Sequence, residues 1–212
     1  MRVLEIPRRW ALAMALLLAT LVAGCAAPQP RDFSAFLAAK PRSILVVPVV
    51  NQSLDVDAPN YVLTTLPVPI AEKGYYVFPV HTTKVVLEQE GLYEGAKIHE
   101  QPAPALARLF GADAVLYVRI NRWDAQFVLV STTVTVDFDY RLVSKDGVML
   151  WAERKRLQYT PQNNNSSFLA QVISAAIARA APNYMPLTRQ ANMDVFVLGP
   201  SAIPDGPYRQ GK

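Results

Sequence analysis

The sequence predicts a single mixed α/β domain, and three patterns carry that expectation. A β-branched run, Ser43 to Asn51 ("SILVVPVVN"), is followed by helix-spaced Leu63, Leu66 and Ile70 and then by a second apolar run, "YYVFPV". Two strands joined through a helix make a βαβ unit, normally parallel and right-handed. Further on, Val134, Val136, Phe138, Tyr140 and Leu142 alternate with Thr135, Asp137, Asp139 and Arg141, the period of a half-buried antiparallel strand. Finally, Phe168, Leu169, Val172, Ile173, Ala176, Ile177 and Ala180 trace one face of a helix able to cover a sheet.

The first element is not part of that domain. Arg2, Arg8 and Arg9 precede an uncharged run from Trp10 to Gly24. A basic segment, an apolar segment and a small-residue exit read as an export signal. The run is short of the roughly 20 residues that span a hydrocarbon core. It ends at the only cysteine of the 212-residue chain, so no internal disulfide can form. Val22-Ala23-Gly24-Cys25 resembles the bacterial lipobox. The resemblance implies that signal peptidase II cuts before Cys25, which then carries a diacylglyceryl thioether and an amide-linked acyl chain, palmitate for example. Two or more chains hold a protein stably on a bilayer where one holds it reversibly. Ala26 stands where an Asp would imply retention at the inner membrane, so the same resemblance implies the periplasmic leaflet of the outer membrane.

Cleavage removes three arginines and one glutamate, and the formal charge falls from +4 to +2 over the remaining 188 residues. No dense basic patch with interleaved aromatics is present, which argues against nucleic acid as a partner. Residues 25–41 form the lipidated N-terminus: an extended tether, "AAPQPR", reaching roughly 20 Å, then a short helix. In that helix Asp32 is the expected cap, Phe33, Phe36 and Leu37 share a face, and Pro41 ends it.

The domain is expected over residues 42–198. "SILVVPVVN" has too little alternation for a half-exposed strand and reads as buried on both faces. Pro67 and Pro69 must kink or interrupt the helix after it, and Gly74 can cap its end. "TTKVVLEQEGL" is a second helix with Val85, Val86 and Leu87 near its apolar side. "QPAPALARLFGA" is a third, with Pro102 and Pro104 at its start and Gly111 at its C-terminal cap. Three strand-like runs follow, "ADAVLYVRINRWDAQFVLV", "TTVTVDFDYRLV" and "VMLWAERKRLQY", with a turn signal at Ser144-Lys145-Asp146-Gly147. They form an antiparallel meander with one core face and one wet face. After a polar loop and the covering C-terminal helix, "VFVLGP" is strand-like or extended, and residues 199–212 are a loosely held tail.

Several stretches taken together, "PRSILVVPVVN", "IAEKGYYVFPV", "GLYEGAKIHEQPAPALARLFGADAVLYV", "YRLVSKDGVMLW" and "GPY", resemble a family of bacterial lipoproteins of the genome-derived neisserial antigen type, a domain of unknown function. The resemblance implies a fold similar to the N-terminal domain of the Tol-system protein TolB. It also implies an envelope protein of transport or surface assembly, encoded near a lipoprotein similar to the curli secretion channel. It supplies no catalytic residue, and only Cys25 transfers, as the acylation site.

Candidate chemistry beyond the lipid is sparse. His81 and His99 lack a third ligand at a zinc spacing and read as surface or capping residues. Asp55 and Asp57, near Asn51, offer oxygen ligands, but their spacing matches no calcium loop. Asp137 and Asp139 project from one face of a strand, the geometry of a paired-carboxylate site and equally of a solvated face. There is no G-x-S-x-G elbow and no phosphate-binding glycine loop. The sequence therefore predicts no cofactor, no metal and no enzyme. It favours a tethered binding or assembly module, with an activator of cell-wall synthases and a membrane-tethered hydrolase as alternatives. A homo-oligomer packed through the Ala-rich C-terminal helix is a further expectation.

Overall fold

The computed structural model describes residues 31–128, 131–160 and 184–209. Cys25 and its lipobox lie outside them, and so does the helix expected over residues 168–180. The chain from Phe33 onward is one unit, separate from Met1–Asp32. Its elements are α1 (Ser34–Ala39), β1 (Ser43–Val46), β2 (Val50–Asn51), α2 (Ala58–Thr65), α3 (Pro67–Glu72), β3 (Tyr76–Val77), α4 (Val80–Gln89), α5 (Gly95–Glu100), α6 (Ala103–Phe110), β4 (Ala114–Val128), β5 (Ser131–Ser144), β6 (Met149–Tyr159) and α7 (Met185–Met193). A π-helical turn, Asp194–Leu198, continues α7.

One sheet of six strands organises them. The order is β3-β1-β4-β5-β6, with β2 also paired to β4. β3, β1 and β2 run parallel to their neighbours, and β4, β5 and β6 form the antiparallel meander that the turn signal at residues 144–147 predicts. β1 is buried on both faces, since Ile44 and Val46 join one apolar layer while Leu45 and Val47 join the other. The first layer packs under α1, α2, α3 and α7 and holds Phe138, Tyr140 and Phe196; the second packs under α4, α5 and α6 around Leu87, Ile98 and Leu106.

Pro48 splits the first β-branched run in two. Val46 pairs with Leu116 and Val50 with Arg119, so one strand uses one residue more than its partner over that step. Proline lacks the N–H that the ladder would need. Its freed carbonyl accepts the Nε2–H of His99 at 3.0 Å, and Gly95 brings α5 so close that a Cβ there would lie 2.7 Å from the Val49 carbonyl oxygen. His99 is thus a structural wedge, edge-on to Tyr117 at 5.1 Å, and not the surface or capping residue the sequence suggests. Burial, with the nearby Arg141 and Arg119, pulls its pKa down to about 4.

Other expectations change in detail. Pro67 interrupts as expected: lacking their N–H groups, Pro67 and Pro69 cannot bond the carbonyls of Leu63 and Thr65, and α3 starts afresh at Pro67 while Leu63, Leu66 and Ile70 stay buried. Asp32 does not cap α1, whose N-cap position is Phe33, and Leu37 is exposed where Phe36 is buried. On α4 the buried positions are Val80, Thr83 and Leu87, one helical stripe, and Val85 points to solvent. "VFVLGP" is not extended: the π-helical turn buries the adjacent Val195 and Phe196 in the same apolar layer, where a strand would send them to opposite faces.

The expected loose tail is a strap. Tyr75 donates to the Pro204 carbonyl at 2.7 Å, Gly206 N–H to Lys73 at 2.7 Å and Tyr208 N–H to Gly74 at 3.0 Å. Ile203 is buried and Asp205 pairs with Lys73 and Arg209. The strap passes so near Gly74 that a Cβ on Gly206 would meet its carbonyl at 2.3 Å. Within the first layer, Tyr140 donates to Asn192 Oδ1 at 2.7 Å and Asn192 donates to Thr65 Oγ1 at 2.8 Å, all three buried.

Two expected outcomes follow from these contacts. Tyr140→Phe strands the Asn192 carbonyl and should cost about 1–3 kcal/mol in urea unfolding. His99 stays neutral in the folded protein down to about pH 4 and protonates near 6.5 when unfolded. The unfolded state therefore takes up the extra proton as pH falls between those values, and stability drops across that window by on the order of 3 kcal/mol. His99→Gln should flatten that dependence in the same unfolding series.

Candidate functional site: the polar face of the meander

The helices cover both faces of the sheet near β1, but the outer part of the meander presents a polar face. Its origin is a β-bulge. Ile120 pairs with Phe138 and Arg122 with Asp137, leaving Asn121 as an extra residue on β4. A side-chain period of two means that one extra residue reverses which face each following side chain takes. Beyond the bulge Trp123 enters the apolar layer at 4% exposure, while Arg122 and Asp124 turn to the opposite face. There they meet Thr135, Asp137 and Asp139 of β5, and Arg154, Arg156 and Gln158 of β6.

This face is not uniformly wet as alternation alone suggests. Asp137 is 2% exposed and Thr135 1%, because longer side chains from both neighbouring strands close over them. Arg154 grips the Asp137 carboxylate with both ends, Nε to Oδ1 at 3.0 Å and Nη2 to Oδ2 at 2.8 Å, and Asn121 adds a longer bond at 3.4 Å. Burial alone would raise the Asp137 pKa, but the Arg154 and Asn121 hydrogen bonds and the charges of Arg154 and Arg156 outweigh it and hold the carboxyl below its usual range. Arg154 also approaches Asp139 at 3.7 Å. Arg122 pairs with Asp124 at 2.8 Å, and Gln126 donates to the same carboxylate at 3.2 Å.

The carboxylates of this face are therefore engaged, and several cations are not. Arg119, Arg141 and Arg156 are exposed and form no ion pair among the described residues. The Arg141 guanidinium lies over the Tyr117 ring, 5.4 Å from its centroid. Chemically, an ionised carboxylate clamped by a guanidinium has no proton to give and no free lone pair aimed at a substrate. Three unpaired guanidiniums on a rigid strand surface can donate to carboxylate, phosphate or carbonyl oxygens.

The sequence brings Asp137 and Asp139 to this face as expected, but it does not make them a free pair. Asp55 and Asp57 serve the loop after β2: Asp55 Oδ1 accepts from the Asp57 N–H at 2.9 Å and its Oδ2 from Trp123 Nε1–H at 3.1 Å. His81 is exposed at the start of α4. No group of three or more metal-ligating side chains occurs among the described residues. Alternation already puts Arg141 on this face, but Arg119 and Arg156 escaped sequence reasoning, although "AERKR" hints at Arg156, since alternation puts Arg154 and Arg156 on one face of β6 and Glu153 and Lys155 on the other.

Comparison with known proteins gives the chain a family. Residues 31–192 match the family described as "Putative lipoprotein GNA1162-like". "Putative lipoprotein NMB1124/NMB1162" of Neisseria meningitidis serogroup B is 36% identical over 151 residues, 71% of this chain and 70% of that protein. The crystal structure of lipoprotein GNA1162 from Neisseria meningitidis superposes with a TM-score of 0.56 at 33% identity, over 68% of this chain and all of that one. A PelC dodecamer structure from Paraburkholderia phytofirmans matches 68% of this chain and 88% of its own at 16% identity and a TM-score of 0.39. The family match over most of the chain and the neisserial relative give one conclusion: the chain belongs to the GNA1162-like lipoprotein family.

Proposed function

We propose that this lipoprotein is anchored through acyl groups on Cys25 to the periplasmic leaflet of the outer membrane. Its domain is a non-enzymatic binding or assembly module, accessory to envelope transport, secretion or surface-structure assembly. The observation that carries the binding role is the polar face of β4, β5 and β6, where Arg119, Arg141 and Arg156 stay exposed and unpaired while Asp137 is clamped by Arg154. Guanidiniums fixed on strands lose little freedom on engaging a partner, and such groups are enriched in interfaces. The partner suggested by the family resemblance is a lipoprotein similar to the curli secretion channel, and the fit asks of it an acidic or carbonyl-rich surface.

A tethered hydrolase has less support, because Asp137, one of the two carboxylates it would need, is buried and clamped in its ionised form by Arg154. An activator of cell-wall synthases would have to cross toward the wall, and the six-residue stretch "AAPQPR" between Cys25 and the domain spans only roughly 20 Å.

Intact mass of the protein extracted from membranes should give Cys25 as the first residue with acyl groups attached; an unmodified N-terminus elsewhere would remove the anchor. Affinity capture from envelope membranes should recover a partner with wild-type protein and lose it at least tenfold with the Arg119→Glu/Arg156→Glu double variant. Equal recovery by the two proteins would take the binding role away from this face.

A further inference from the structure

A second surface lies at the end of the sheet where the parallel strands begin. The register pairs Ser43 with Tyr76, Ile44 with Ala114 and Ala114 with Ser144, so the turn after α1, the end of α6 and the β5–β6 turn converge there. Asp113 fastens them: its carboxylate accepts from the Arg42 N–H at 3.0 Å and from Lys145 Nζ at 3.3 Å, while its own N–H donates to Ser43 Oγ at 3.0 Å. Its charge is thereby met by Lys145 and Arg42; Arg108 stands exposed in the depression that Asp113, Lys145 and Asp146 line, and Lys40 in a cleft beside Arg42 and Asp205, neither with an ion pair among the described residues.

Apolar tips surround those cations. Leu37, Leu109, Val148 and Tyr208 are between 43% and 59% exposed. Between α1 and the C-terminal strap a cleft of about 380 Å³ opens here, walled by Phe36, Leu37, Pro41 and Tyr75. Apolar tips interleaved with Lys and Arg are the composition of a surface that rests in the headgroup region of a bilayer, tips inward and cations at the phosphates.

Chain length keeps this surface within reach of Cys25. Seven residues separate Cys25 from Phe33, and even fully extended they keep Phe33 within roughly 28 Å of an acylated Cys25. α1 adds one short helix, about 9 Å, before Lys40. We propose that this end of the domain docks on the anionic phospholipid surface to which Cys25 is anchored, an inference that rests on the acyl-anchor reading above. Docking here leaves the polar face of β4, β5 and β6, which lies farther along the strands, free for a protein partner.

The test uses full-length acylated protein reconstituted into vesicles of phosphatidylethanolamine with phosphatidylglycerol. Hydrogen exchange of residues 37–42, 108–112 and 145–149 should slow at least threefold relative to the same protein in phosphatidylcholine vesicles, and Lys40→Glu/Arg108→Glu should abolish the difference while the protein stays acylated and vesicle-bound. An acylated, vesicle-bound wild type whose exchange at these segments is equal in both lipids overturns docking and leaves the anchor standing. Slowing that persists in the double variant assigns the protection to contacts between protein molecules and likewise overturns it. Absence of acyl groups on Cys25, read by mass in the same sample, overturns the anchor and the docking together.

Discussion

One extra residue in one strand sets the character of the domain. β4 runs fifteen residues, Ala114–Val128, and serves two environments. Its first half lies between apolar layers, with Val115 and Tyr117 facing one and Leu116 and Val118 the other. Its second half has a core on one side and polar side chains on the other. A strand with strict alternation through Asn121 would turn Trp123 outward and bury Arg122 and Asp124 in the apolar layer, each charge at a cost of several kcal/mol. The bulge avoids that conflict. It also aims the Trp123 indole at Asp55, so the loop after β2 is fixed by the same rearrangement that creates the arginine-bearing face.

Other long-range fastenings tie the sheet to the elements around it. The buried line from Tyr140 through Asn192 to Thr65 joins β5, α7 and α2, elements far apart in sequence, with each polar group satisfied. At the end where the parallel strands begin, Asp113 ties the turn after α1 to β4 and to the β5–β6 turn, and the C-terminal strap closes over Tyr75 and Gly74. The result is a sheet with chemically different surfaces at different places: apolar and basic where the parallel strands begin, arginine-rich and polar on the outer meander.

Local patterns in the sequence go far. The apolar run that opens at Ser43 reports a strand buried on both faces, the proline pair at 67 and 69 reports the broken helix, and Gly111, at a φ of 70°, ends α6 where a left-handed residue is needed. The lipobox reading of Cys25 rests on the sequence alone, from its position after an apolar segment. What stays hidden depends on residues distant along the chain. Asp137 looks solvated until Arg154, seventeen positions on, closes over it. The strap looks loose because its partners Lys73, Gly74 and Tyr75 lie about 130 positions earlier. The bulge is visible only as a change of phase between Ile120 and Trp123, and the unpaired arginines become a surface only once that phase and the strand register are known.

The central claim is that the polar face of β4, β5 and β6 is where this lipoprotein meets its protein partner. Photo-crosslinking in intact cells tests it most directly, with a benzophenone amino acid placed at Arg156 of that face or, over the opposite face of the sheet, at the exposed Val68 of α3. The account predicts a discrete protein adduct from position 156 and none from position 68. Adducts from position 68 alone, or equal adducts from both, would contradict it.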